Sequence, residues 1–263
     1  MNTVDEASAL ALLATGELIV EGRLPGASNL TVRCTVGPDQ TRCVYKSVSG
    51  ERPLWDFPEW TLTRREVAAF ELSRVLGWDL VPPTAWRDDG PAGAGMCQLW
   101  IEDRPDDRLV DVVPMGRVPD GWLEVLEAED GAGRPVSLIH ADDPVLVRMA
   151  VFDALANNAD RKGGHLLTDS DGRVWGIDHG VTFAEEEKLR TVLWGWAGES
   201  IPDDVLADVD GLHERLVAGY DPVDRWLAAS ERDALRRRVR RLLASGCHPL
   251  PSGRWPAIPW PVF

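Results

Sequence analysis

Apolar and polar positions alternate along three short stretches near the start of the chain: 17–22 (ELIVEG), 30–36 (LTVRCTV) and 41–48 (TRCVYKSV). RLPGASN, rich in small residues, separates the first two, and the turn GPDQ precedes the third. The pattern predicts strand, small-residue loop, strand, turn, strand. Ahead of it, DEASALALLAT (5–15) reads as a helix stopped by Gly16. From Leu62 to Leu76 the apolar positions Val67, Phe70, Leu72, Val75 and Leu76 fall at roughly helical spacing, and Gly77 ends that helix. LVPPTAWRD (80–88), a turn-rich DDGPAGAG and the apolar MCQLWIE (96–102) predict two more strands.

The pattern then weakens. Residues 103–143 carry many acids, glycines and prolines, and read as a linker between two lobes with a short helix at WLEVLEA (122–128). A helix is predicted from Pro144 to Asn157, with Asp142 or Asp143 as N-cap and proline in the first turn. HLLT (165–168), the turn DSDG and RVWGI (173–177) predict a hairpin. The remainder reads as mostly helical, including the arginine-rich stretch 230–246, whose arginines at 236–241 suit a solvated face. The proline- and tryptophan-rich tail, 247–263, is expected to lie extended on the surface.

Composition narrows the function classes. The 263 residues include 43 acidic and 28 basic side chains, a net charge of −15. Such a balance argues against a global basic face for nucleic acid or anionic membrane. No apolar run approaches the roughly 18 residues of a membrane span, and MNTVDEASAL lacks the basic start of a signal peptide. A cytoplasmic protein with one substantial core or two lobes is expected. Cys34, Cys43, Cys97 and Cys247 are widely spaced and read as free thiols. Only three of the 28 basic residues are lysine: Lys46, Lys162 and Lys188.

The stretch with most chemistry is NNADRKGGHLLTDSDGRVWGIDHG (157–180). A hairpin turning about Ser170 and Asp171 sets Asp178 opposite Gly163 and His165 opposite Gly176, and gathers Asp160, His165 and Asp178 at one end. Two carboxylates and an imidazole suit a divalent-metal and proton-handling site. Upstream come a small-residue loop, a strand lysine and a helix glutamate, the parts that hold ATP phosphates in kinases.

NADRKGGHLL…WGIDHGVTF resembles the catalytic core of the phosphatidylinositol 3- and 4-kinases, most of all the type II phosphatidylinositol 4-kinases, and is similar to HipA-type kinases. Asp160-Arg161 and Ile177-Asp178-His179-Gly180 match that superfamily, and Asn158 and Phe183 fit the type II pattern. VYKS resembles the strand with the ATP lysine, and TLTRREVAAFELSRVLGWDLVPPT the segment with the helix glutamate. The similarity spans roughly residues 17–100 and 145–197. The chain also resembles an actinobacterial branch grouped with these kinases, and its arginine-for-lysine bias suits a GC-rich genome.

The resemblance implies an α+β, two-lobed, protein-kinase-like fold. The β-rich N-lobe would span 1–102 and the mostly helical C-lobe 103–263. It implies a metal-dependent kinase moving the γ-phosphoryl group of ATP, with Mg2+ or Mn2+, to a hydroxyl of a protein or small molecule. Lys46 would meet the ATP phosphates, held by Glu66, with Glu71 as competitor. Ser28 and Asn29 would cap the phosphates, and Gln98, Leu99, Trp100 and Ile101 would form the adenine hinge. Asp160 would position or deprotonate the attacking hydroxyl, with Lys162 neutralising the transferred group. Asp178 and His165 would hold metal. The superfamily has asparagine where this chain has His165, which leaves a borderline metal, a phosphate contact or a degraded site open. A nucleotide-binding pseudokinase and an AMP transferase on the same fold are the alternatives.

Overall fold

The computed structural model describes residues 6–25, 29–104, 107–219 and 222–263. Five antiparallel strands form the first sheet: β1 (Leu18–Arg23), β2 (Thr31–Val36), β3 (Thr41–Ser47), β4 (Thr84–Gly90) and β5 (Gly93–Leu99), in the order β1-β2-β3-β5-β4. Helix α1 (Glu6–Thr15) packs on β4 and β5 around the buried Leu13. Helix α2 (Leu62–Leu76) also packs on β4 and β5. Of its apolar positions Val67, Phe70, Leu72 and Leu76 are buried and Val75 is partly so, and Gly77 closes it in the left-handed conformation at φ 70°. Its first turn is capped from a distance. The Glu51 carboxylate accepts the amides of Leu62 (3.2 Å) and Thr63 (2.8 Å), placing an anion at the positive helix end.

The stretch 103–143 departs from the expected linker. It folds into a second antiparallel sheet, β6 (Val110–Pro114), β7 (Trp122–Glu129) and β8 (Pro135–Ala141), in the order β6-β8-β7. The helix expected at 122–128 is strand β7, and the reason is a bulge. The pairing of β7 with β8 slips between Glu124 and Leu126, so the inward positions lose their period of two. Two apolar residues then alternate with one glutamate, a pattern that mimics a helical turn.

Helix α3 (Pro144–Ala156) begins at Asp143, whose side chain accepts the Val145 amide, and ends at Asn157 in the left-handed region. The hairpin β9 (Leu166–Thr168) and β10 (Val174–Gly176) follows. Its register is one residue off the expectation: Gly176 pairs with Leu166, so His165 faces Ile177. The loop includes Gly172 at φ 80° between the mutually bonded Asp169 and Arg173, which shifts the pairing by one. Helices α4 (Asp203–Ala218) and α5 (Ala229–Ser245) complete the main core with α3. The arginines of α5 are not uniformly solvated. Arg238 is buried and donates to the carbonyls of Leu155 (2.8 Å) and Ala184 (3.2 Å). Cys34, Cys43, Cys97 and Cys247 are free, the first three buried. Among the described residues no helix is long and apolar enough to cross a membrane.

Two buried histidines away from the hairpin make stability pH-dependent. The His140 ring donates from Nδ1 to the Ala141 carbonyl (2.9 Å), and its Nε2 accepts the Gly195 amide (3.0 Å), which fixes the neutral form. Burial pushes His140 below the ordinary imidazole value and lowers His248 to about 4. A folded-state pKa below the unfolded one means that the unfolded chain binds the extra proton. Stability is therefore complete above about pH 6.5 and falls as acid is added towards about pH 4, by up to ~1.4 kcal/mol per pH unit per imidazole. Urea melts between pH 7 and 4 should show this fall, and His248→Gln should make it shallower. A pH-flat midpoint would contradict the assignment.

Candidate functional site

The site lies where β3, α2 and the segments around Asp160 and Asp178 converge. Lys46 on β3 points at two carboxylates. Its Nζ is 2.5 Å from Glu66 Oε1 and 2.8 Å from Asp178 Oδ1. Burial alone would depress the Lys46 ammonium, but the Asp178 and Glu66 carboxylates outweigh it and raise its pKa. The Lys46 ammonium holds Asp178 well below the usual carboxylate range. Glu66 also accepts the His179 amide through Oε2 (2.8 Å), so one glutamate ties the strand lysine to the loop after Asp178. Glu71 points elsewhere, to Arg74 (2.8 Å) and Arg225 (3.6 Å).

A buried network sets the position of the two loops. Asp153, the one carboxylate on α3, is fully buried and accepts from Arg161 Nε (3.0 Å), Arg161 Nη2 (2.9 Å) and Asn158 (2.9 Å). Arg161 reaches on to the Ile177 carbonyl (3.2 Å) and to His179 Nε2 (2.7 Å). The guanidinium thus stitches the Asp160 loop to the Asp178 loop. Asp178 itself sits at φ 59°, a left-handed conformation that aspartate tolerates better than most residues. Phe183, also at φ 59°, has no such tolerance and is held by full burial and by the hydrogen bond its backbone N–H donates to the Ala156 carbonyl (2.6 Å).

Two cavities meet at this point, sharing Asn29, Lys46 and Asp178. One, of about 650 Å3, is walled by Val44, Leu167, Ile177 and the strand end 98–101, with His165 at its inner edge. Gln98, Leu99, Trp100 and Ile101 all line it, although the Leu99 and Trp100 amides already donate to the carbonyls of Pro83 and Arg42. The other, of about 500 Å3, holds Asp160, Arg52, Trp55, Phe57 and Arg190. Burial raises the Asp160 carboxyl, opposed by Lys162, whose Nζ is 3.3 Å away. Lys162 lines neither cavity. Ser28 lies outside the described residues. The Asn29 side chain accepts the Arg52 amide at 2.8 Å.

His165 faces Asp178, Nε2 to Oδ2, at 3.6 Å. Burial lowers its pKa to about 4, so at neutral pH a neutral ring confronts an ionised carboxylate. The chemistry of these two donor groups suits a shared divalent cation. Among the described residues no cluster of three or more histidine, cysteine, aspartate or glutamate side chains is placed to hold a metal by itself.

Lys188, without an expected role, is a structural anchor. Its Nζ is 3.0 Å from Asp56 and about 5 Å from the ring centroids of Phe57 (5.2 Å) and Trp255 (5.0 Å). It fastens the loop 52–57 to the tail. That tail, which bends repeatedly between 253 and 261, runs back to the Asp160 loop, where the Gly163 amide donates to the Val262 carbonyl (2.8 Å). A Cβ at Gly163 would meet the Phe263 ring at 2.6 Å, so a larger residue there would displace that ring. Arg52, Trp55, Phe57 and Arg190 had no signal in periodicity. Asp153 had one, a lone carboxylate in a largely apolar helix.

The fold is similar to that of hydra Fam20. Hydra Fam20, solved with a sugar, superposes with a TM-score of 0.53 over 93% of this chain and 89% of that one, at 14% identity. The Helicobacter pylori proinflammatory kinase CtkA matches over 89% and 94% of the two chains, at 11% identity and a TM-score of 0.45. No protein-family model matches. Protein Rv2133c of Mycobacterium tuberculosis is 52% identical over 265 residues, covering 96% of this chain and 95% of that protein, and the chain belongs to the same family.

Proposed function

We propose that the protein is a two-lobed, ATP-dependent phosphotransferase, divided near residue 102, that moves the γ-phosphoryl group to a hydroxyl. The observation that carries this reading is the placement of Lys46 and Asp178 at the junction of two cavities, with Asp160 in only one of them. The larger cavity takes the nucleotide, its adenine against 98–101, where the Ile101 amide donates to no protein group among the described residues. Lys46, kept cationic by its two carboxylates, binds the phosphates, and Asn29 lies beside them. The acceptor enters the other cavity. Its oxygen attacks the γ-phosphorus, the bond to the β,γ-bridging oxygen breaks, and the hydroxyl proton passes to Asp160, whose raised pKa suits a base. Asp178 and His165 would hold Mg2+ or Mn2+, which when bound neutralises phosphate charge.

The test is ATP consumption and nucleotide affinity measured together. Asp160→Asn should keep nucleotide affinity and lose ~10²-fold or more in turnover. Unchanged turnover would remove Asp160 from the chemistry. A second reading, a nucleotide-binding pseudokinase, has its own observation: His165 Nδ1 is buried without a hydrogen-bond partner, whereas a metal-bound histidine ordinarily donates its other N–H. Nucleotide binding without turnover in both Mg2+ and Mn2+ would select that reading.

A further inference from the structure

We propose that the acceptor is a phosphate-bearing hydroxyl compound, a phosphorylated polyol or sugar, whose phosphate is gripped by Arg52 and Arg190 in the cavity beside Asp160. This rests on the phosphotransferase reading and names its acceptor.

The carboxylates that line this cavity all have partners on the protein. Glu51 caps α2, Asp56 pairs with Lys188, Glu66 and Asp178 share Lys46, and Asp160 pairs with Lys162. Arg52 and Arg190 line the same cavity, and neither guanidinium has a hydrogen bond or ion pair to a described residue. The Arg190 Nε is buried with no acceptor, the condition of a donor whose partner is a ligand. Arg190 lies 5.7 Å from the Trp255 ring and draws on the Asp160 charge, but like Arg52 it has no carboxylate in hydrogen-bond reach, so on a chain of net charge −15 the two arginines at one cavity suit an anion.

Both arginines stand on fixed backbone. The segment 158–161 and the segment 190–192 are bonded to each other: the Arg190 amide donates to Asn158 (2.9 Å) and the Arg161 amide to Arg190 (3.0 Å). That ladder holds Arg190 beside Asp160. Arg52 follows the α2-capping Glu51, and its own amide is bound by Asn29. Guanidinium forks match phosphate oxygens two at a time. Trp55, 84% exposed, lines the same cavity with Lys188 and Trp255 against its ring, and its exposed part can meet the carbon skeleton of a sugar or polyol. The phosphate would sit on the arginines and a neighbouring hydroxyl would lie at Asp160.

The experiment uses the full chain. Tryptophan fluorescence reads binding of glycerol 3-phosphate and ribose 5-phosphate against glycerol and ribose, with and without a non-hydrolysable ATP analogue. Vesicles of phosphatidylcholine containing phosphatidylinositol form a separate arm. Phosphorylated probes should bind at least about tenfold more tightly than neutral ones, and Arg52→Ala or Arg190→Ala should each remove about tenfold of that preference. Response of the free compounds identifies a soluble acceptor, and an arginine-dependent response of the vesicles alone identifies a lipid headgroup. Equal binding of phosphorylated and neutral probes, or no response of the free compounds and of the vesicles alike, overturns the proposal. So does a preference untouched by both variants, or an Arg190→Ala variant that weakens the ATP analogue instead. Failure of the phosphotransferase reading shows differently, as absent binding of the ATP analogue to the unaltered protein while the phosphate preference persists without it.

Discussion

Arg161→Met should destabilise the protein by about 3–5 kcal/mol, because it leaves the Asp153 carboxylate buried and without its charge partner. Both side chains are fully buried, so water cannot replace the lost guanidinium. Asn158 and Thr191 would still donate to Asp153, at 2.9 and 3.3 Å, but neither carries charge. Urea unfolding gives the number. The double variant Asp153→Leu/Arg161→Met removes both charges and should recover much of the loss. A single variant within about 1 kcal/mol of the parent would show that the pair is not a stabilising contact. The same substitution frees the Ile177 carbonyl and His179, so the Asp178 loop should loosen together with the Asp160 loop.

Asp178→Ala should lower phosphoryl transfer by about 10³-fold or more, since it removes at once a cation ligand and one of the two anions that keep Lys46 charged and aimed. Glu66 remains, so Lys46 stays protonated and the fold should persist. Loss of Mn2+ binding in the presence of nucleotide, read by electron paramagnetic resonance, separates the ligand role from the charge role. Turnover within tenfold of the parent would sink the assignment of Asp178.

Much of this site could be read from the chain because its residues lie in short, strongly patterned segments. The strand of Lys46, the helix of Glu66 and the hairpin between Asp160 and Asp178 each follow a local period or a turn. Glu66 and Glu71 lie on different helix faces, and the packing of α2 decides between them in space. What could not be read depends on contacts distant in sequence or on broken periodicity. The bulge in β7 disguised a strand as a helix turn. The hairpin register hung on one glycine at positive φ. Arg190 reaches the site through a backbone ladder that no periodicity announces, and Arg52 sits in an irregular loop whose anchors are Glu51 and, far along the chain, Lys188.

That last anchor bears on the order in which the molecule assembles. Strands β1, β2 and β3 pair through short connections, and β5 joins β3 once α2 and β4 have been made, so the first sheet can form from residues 18–99 alone. The loop 52–57 is different: Asp56 waits for Lys188, 132 residues later, and Trp55 for Trp255, 5.9 Å away in the folded protein. Such a closure must overcome a loop entropy that grows as about (3/2)RT ln n before its contacts repay it. A chain still emerging during synthesis could therefore complete one side of the cleft well before the other, and the acceptor wall would be among the last parts to close.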